Sequence, residues 1–158
     1  MVYNFVRYLV RNPDLTDDIT SQVFEKVLGK LDSYQAAKGS IKVWLLAISR
    51  NEVANHFKRR KWRALFSLDL FHPDTLREEI DSNPEVHLYK NDAKRNLLEA
   101  MQRLRERERE ILALKFSSDC TNREIAKLTG LTESNIGVLL YRLIKRLRFE
   151  LKKVEGEV

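Results

Sequence analysis

Thr121-Asn122-Arg123-Glu124-Ile125-Ala126-Lys127-Leu128-Thr129-Gly130-Leu131-Thr132 is the stretch that decides the fold. Thr121 and Glu124 have the spacing of a capping box, in which the hydroxyl accepts from the backbone of the third helical residue and the carboxylate accepts from the cap's own N–H. Ile125, Ala126 and Leu128 then form the apolar side of a short helix. Thr129-Gly130-Leu131 supplies a tight turn whose glycine can enter the left-handed region without steric cost. Thr132 is placed to cap the helix that follows. Helix, short glycine turn, helix is the helix-turn-helix pattern.

The second helix of the pair sorts its side chains by face. With about 100° per residue counted from Ser134, Ile136, Leu139, Leu140, Leu143 and Leu147 fall on one arc. Val138, Tyr141, Arg142 and Lys145 fall within about 80° of Ser134, on the other. The first arc is predicted to be core. The second carries hydroxyl, aromatic and cationic groups of a size to enter a major groove, with the N-terminal half (Ser134, Asn135, Val138) against base edges and Arg146, Arg148, Lys152 and Lys153 available for phosphates. A solvent-exposed helix hairpin is the bland alternative, and the box, the turn and the sorted faces together disfavour it.

Charge extends this reading along the chain. There are 29 Lys and Arg against 23 Asp and Glu, a net charge of +6, and basic proteins of this kind favour polyanionic partners. Residues 42–63 hold seven bases (Lys42, Arg50, Lys58, Arg59, Arg60, Lys61, Arg63) and one acid, Glu52. Residues 121–153 hold eight bases and three acids, whereas residues 64–94 hold seven acids and three bases. That acidic stretch carries His72-Pro73-Asp74 and Asp81-Ser82-Asn83-Pro84 and reads as a linker. The expected organisation is therefore all-α: two small helical domains, 1–63 and 95–153, joined by an acidic linker over 64–94, with the helix-turn-helix in the second. Domains of about 60 residues bury only about 60% of their unfolded surface, so support from a partner is expected.

Composition excludes several classes. With 5 Gly and 3 Pro in 158 residues, the chain lacks the turn residues of a β-sandwich or barrel. One cysteine, Cys120, rules out an internal disulfide and any zinc site needing two thiolates, and is expected to be a half-buried hydrophobe in a reducing cytoplasm. The longest apolar run, Val43 to Ile48, is far short of a membrane span, and charges near Met1 break up any signal-peptide core. His56, His72 and His87 lack metal-ligand spacing, and the chain has no glycine-rich phosphate loop. No catalytic residue, metal or cofactor is expected. The run from Arg105 to Glu110 reads as a solvated helix face.

In the N-terminal half, Val2, Phe5, Val6, Leu9 and Val10 recur at helical spacing until Pro13. Ile19, Val23, Val27 and Leu31 step by four along a second helix, with Asp14 or Thr16 as the expected cap. The amphipathic pattern has already begun at Met1, which suggests further helix upstream. Ser40 is placed to cap a third helix, with Ile41, Trp44, Leu45 and Ile48 on one stripe. Asn51 and Asn55 share a face, and Lys58, Arg59, Arg60 and Lys61 follow. Amides that donate and accept, set beside cations, suit bases and phosphates; a solvated basic helix end is the plainer account. Trp44 and Phe57 are read as core, and Tyr34, in a polar loop, as the aromatic on which a base can stack.

These segments together resemble a known family. Asp18-Ile19-Thr20-Ser21-Gln22-Val23-Phe24 is similar to the acidic segment with which bacterial sigma factors hold the polymerase clamp helices. Gly39-Ser40-Ile41-Lys42-Val43-Trp44-Leu45-Leu46-Ala47-Ile48-Ser49-Arg50-Asn51, with Asn55, Arg59 and Arg60, resembles the segment that melts and reads the −10 element. Leu104, Arg107, Glu108, Arg109, Glu110 and Leu112, then Glu124-Ile125-Ala126 and the helix after Thr132, resemble the domain that binds the −35 element. The match is to the small two-domain extracytoplasmic-function sigma factors of the sigma-70 family. It spans residues 1–63 and 95–153. The chain departs from the family at Ser21, where glutamine is common, and at Gly137, Val138 and Leu139, where basic or hydroxyl residues are frequent.

The resemblance implies a transcription initiation factor whose partners are core RNA polymerase, promoter DNA and an anti-sigma factor, with no membrane insertion. Asp18, Gln22 and Glu25 would contact polymerase. Tyr34, Asn51, Asn55, Lys58, Arg59, Arg60 and Lys61 would serve the −10 strand, and Ser134, Asn135, Val138, Tyr141, Arg142, Lys145 and Arg146 the −35 duplex. The acidic linker would thread a channel that later carries RNA. A one-component regulator, binding a palindrome as a dimer without polymerase, is the alternative that uses the same helix-turn-helix.

Overall fold

A computed structural model describes residues 1–10, 12–66, 96, 100, 101 and 103–155, with side chains through Arg59 in the first part and through Lys152 at the C-terminal end. The side chains of Arg60, Lys61, Trp62 and Lys153, and residues 67–94 of the expected linker, lie outside the described residues. The described residues contain helices and turns and no strand. The chain divides into two compact units on either side of the Ser82–Asn83 bond.

The N-terminal unit is built from α1 (Val2–Val10), α2 (Pro13–Lys30) and α3 (Ile41–Phe66), each packed on the other two, with short 3₁₀ turns at Leu31–Ser33 and Ala36–Lys38. Its core takes Val2, Phe5 and Val6 from α1, Thr16, Ile19 and Val23 from α2, and Leu46, Ser49 and Val53 from α3. Each fully buried aliphatic side chain contributes about 1.5–3 kcal/mol. Thr16 donates to the Asn12 carbonyl at 2.7 Å and Ser49 to the Leu45 carbonyl at 2.8 Å, while the Thr20 hydroxyl is buried with no hydrogen-bond partner among the described residues.

Three expectations are corrected here. The cap of α2 is Asn12, not Asp14 or Thr16: its Oδ1 accepts from the Leu15 N–H at 2.9 Å, and Pro13 takes the first helical position, where its missing N–H costs nothing. Leu31 does not continue the core stripe of α2, since the α-helix ends at Lys30 and Leu31 is 52% exposed. On α3 the stripe of Ile41, Trp44, Leu45 and Ile48 is exposed or half-buried, and the buried line runs through Leu46, Ser49 and Val53. Residues 43–48 are apolar all round the helix, so periodicity alone does not choose which arc meets α1 and α2.

The C-terminal unit comprises α4 (Glu106–Leu112), a π-helical turn (Ala113–Ser117), α5 (Asn122–Thr129) and α6 (Glu133–Glu155). Ile111, Leu112, Ala113 and Leu114 pack with Leu104, Cys120, Ile125, Leu128, Ile136, Leu140 and Leu143 in its core. Cys120 is fully buried at 1% exposure rather than half-buried, because its N–H returns to the Leu114 carbonyl at 3.0 Å and folds the loop over the core. Glu108 accepts from the Arg105 N–H at 2.8 Å and closes the first turn of α4.

Candidate nucleic-acid interface

The capping box at the start of α5 forms: Thr121 Oγ1 accepts from the Glu124 N–H at 3.2 Å, and Glu124 Oε2 accepts from the Thr121 N–H at 2.8 Å. At the other end, Gly130 sits at φ +72° and its N–H donates to the Ala126 carbonyl at 2.9 Å. Thr132 Oγ1 accepts from the Asn135 N–H at 3.2 Å and starts α6. Two short-range caps and one left-handed glycine thus set how α5 leads into α6.

With that geometry, Ile136, Leu140 and Leu143 of α6 are buried and Leu139 and Leu147 half-buried. Ser134, Asn135, Val138, Tyr141, Arg142 and Lys145 are exposed, Tyr141 to 68%. This face offers a hydroxyl, an amide, a phenol and two cations, the donor and acceptor types that read base edges and hold phosphates. Arg146 differs. Its Nη2 donates to the Arg103 carbonyl at 3.2 Å, and its Nη1 lies 3.7 Å from the Glu108 carboxylate, so its guanidinium is shared with the packing of α6 on α4. Arg148 and Lys152 are exposed further along.

In the N-terminal unit, α3 begins at Ser40, whose Oγ accepts from the Val43 N–H at 3.4 Å. Trp44, Ile48, Asn51, Asn55 and Lys58 fall within one arc of about 80° on an ideal helix, with Arg59 at its edge. Trp44 and Ile48 are half-buried, while Asn51, Asn55, Lys58 and Arg59 are exposed. Tyr34 is half-buried rather than free in its loop. Its ring lies 5.5 Å from that of Trp44 at a 53° tilt, and its hydroxyl donates to the Gly39 carbonyl at 3.2 Å. Aromatic, amide and cationic groups therefore follow one another along a single face, the combination that stacks bases and tracks a phosphate backbone. Phe57 is half-buried and meets His56 edge-on at 5.8 Å.

On α2, Asp18, Gln22 and Glu25 are exposed on the side away from Ile19 and Val23. Beside them stand Phe24 at 47% and Leu28 at 74% exposure, which sequence reasoning passed over; their signal was apolar residues four apart that fall off the core stripe. Glu52 was also missed. It is 6% exposed and bridges Lys26 of α2 and Asn55 of α3, and its signal was a lone acid inside a basic run, three residues before Asn55.

Comparison with known proteins joins these surfaces. The family description Sigma-70 region 2 matches residues 1–63, and Sigma-70, region 4 matches residues 94–147. The chain is 29% identical over 147 residues to the ECF RNA polymerase sigma factor BldN of Streptomyces coelicolor, an alignment covering 92% of this chain and 54% of that protein, so the chain spans about half of BldN's length. It is 23% identical over 160 residues to the ECF RNA polymerase sigma factor SigX of Bacillus subtilis, covering 99% of this chain and 81% of SigX. Its fold matches that of the sigma factor RpoE from Bartonella quintana, solved in complex with the anti-sigma factor NepR, with a TM-score of 0.74 at 22% identity over 96% of this chain and 89% of RpoE. The chain belongs to the sigma-70 family as an extracytoplasmic-function sigma factor, the class of transcription initiation factor that directs RNA polymerase to promoters.

Proposed function

We propose that the two units divide promoter recognition between them. Residues 1–63 dock on core RNA polymerase through Asp18, Gln22 and Glu25 and engage the −10 strand with Tyr34, Asn51 and Asn55, while Lys58, Arg59, Arg60 and Lys61 hold its phosphates. Residues 95–153 anchor the −35 duplex, with Ser134, Asn135, Val138, Tyr141 and Arg142 toward the bases and Lys145 toward phosphates, while Arg146 braces α6 against α4 beside that face. Residues 64–94 connect the two with an acidic segment suited to a nucleic-acid channel. The factor acts in the cytoplasm by binding alone and makes or breaks no bond itself. An anti-sigma factor is the expected restraint, as RpoE is held by NepR in its complex.

The observation that carries this reading is the aromatic, amide and cation sequence along one face of α3. A duplex-binding regulator has no use for it. Taking a base out of the stack costs a few kcal/mol, and an aromatic platform with adjacent amides and cations offsets that cost. The test is run-off transcription from fragmented genomic DNA with core polymerase alone and with the chain added. Start sites that require the chain and share paired upstream elements are the expected result. Protection of a palindrome by a dimer of the free chain, with no chain-dependent start site, overturns the reading in favour of a one-component regulator.

A further inference from the structure

Glu52 lies between the polymerase-facing helix and the strand-facing helix. Its Oε1 accepts from Lys26 Nζ of α2 at 2.5 Å and from Asn55 Nδ2 at 3.4 Å. Glu52 is 6% exposed, whereas Lys26 is 42% exposed and Asn55 stands on the outer face. A carboxylate can only accept, so the Asn55 amide must turn its nitrogen toward Glu52. That commits one of the two Nδ2 hydrogens to the protein and fixes the orientation of the amide, with Oδ1 on the side away from Glu52. The Glu52 carboxylate is buried and its Lys26 partner half-exposed, so Lys26 holds the carboxylate in place and the carboxylate keeps the amide from turning over.

We propose that Glu52 is a positioning residue for base reading, fixing Asn55 as an acceptor toward the −10 strand. At the base that Asn55 meets, an acceptor favours an exocyclic amino group, which adenine, cytosine and guanine carry; thymine offers only its ring N3–H, set between two carbonyl oxygens that repel an approaching acceptor. The inference rests on the reading that this face of α3 meets −10 bases, and it adds what sets the preference there. Lys26 lies on α2 beside the residues assigned to polymerase docking, so one ion pair also fixes the reading helix against the docking helix.

The experiment uses the full chain with core polymerase and a pool of promoter duplexes randomised through the −10 segment, sequenced after recovery of open complexes. The unmodified chain is expected to disfavour thymine at one position by about fivefold or more, and Asn55→Ala to remove that bias. Glu52→Gln keeps the shape but offers an amide nitrogen to Asn55, letting its amide turn over. The bias at that position should then shrink to about twofold or less, with preferences elsewhere and polymerase pull-down unchanged. The double variant Lys26→Met/Glu52→Met leaves no unpaired charge and should lose the same bias, which keeps the test open should Glu52→Gln fold poorly. If Asn55→Ala loses the bias while both Glu52 variants keep it, the positioning role is wrong and the −10 reading stands. A uniform drop across all sequences in both Glu52 variants reduces Glu52 to a fold contact and overturns the proposal. If Asn55→Ala keeps the bias, the −10 reading of Asn55 fails and the inference with it.

Discussion

Arg146 of α6 reaches across to Glu108 of α4, its Nη1 3.7 Å from the Glu108 carboxylate, the same group that closes the first turn of α4 by accepting from the Arg105 N–H. The guanidinium also donates to the Arg103 carbonyl at 3.2 Å. With its side chain 47% exposed, the pair contributes at most about 1 kcal/mol. Arg146→Ala should therefore lower the stability of the C-terminal unit by up to about 1 kcal/mol. Neighbouring Lys145→Ala should leave stability alone and reduce the salt slope of DNA binding by about one unit. Denaturant melts and binding at several salt concentrations check both. Equal stability loss in the two variants would show that Arg146 is not committed to α4.

Arg142 is exposed on the outer face of α6, one turn beyond Val138. A bidentate contact from arginine to guanine discriminates by about 1–3 kcal/mol. Arg142→Ala should relax preference at one or two −35 positions by that amount, measured by competition binding of the polymerase complex on a panel of promoter variants. Uniform weakening on every promoter would instead make Arg142 a phosphate contact.

Lys58 and Arg59 are exposed at the end of the α3 stripe. Neutralising both, as Lys58→Gln/Arg59→Gln, should weaken binding to all promoters alike and lower the salt slope by about two units, about one for each lost phosphate contact. A changed base preference in this variant would reverse the division of labour between the cations and the asparagines.

Asp18 and Glu25 are exposed and far from the buried line of α2, so reversing both to Lys should leave the fold intact. The double variant should bind core polymerase at least about tenfold more weakly, the loss of two charge-assisted contacts. Pull-down with polymerase, alongside a circular-dichroism melt, separates docking from folding. Full retention of polymerase would move the docking surface off this face.

The turn between α5 and α6 makes a stability prediction. Among the described residues, nothing outside the turn itself lies within 4 Å of where a Cβ on Gly130 would sit, so Gly130→Ala meets no clash. Its cost is the left-handed backbone alone, about 1–2 kcal/mol, and Gly130→Asn should cost less. Thr121→Ala removes the cap of α5 and should cost about 1 kcal/mol, or about 4–8 °C in melting temperature for a unit this small. If Ala and Asn at position 130 prove equally destabilising, the cost is not the one assigned.

What the amino-acid sequence determined by itself is what depends on neighbours a few residues apart. The Thr121–Glu124 box, the left-handed Gly130, the caps at Ser40 and Thr132 and the sorted faces of α6 all follow from spacing and side-chain chemistry, and all stand in the structure. Outcomes that depend on which helix lies opposite were decided by tertiary packing. Periodicity could not choose the buried arc of α3, because residues 43–48 are apolar on every side; the approach of α1 and α2 put Leu46 and Val53 inside and left Trp44 to meet Tyr34. Composition counted Glu52 as one acid among seven bases, and Arg146 as one base among eight. Only the packing of α2 on α3 and of α4 on α6 brought Lys26 to the first and Glu108 to the second. A charge's role is set by the partner within about 4 Å, and over separations of 26 or 38 residues no local pattern names that partner.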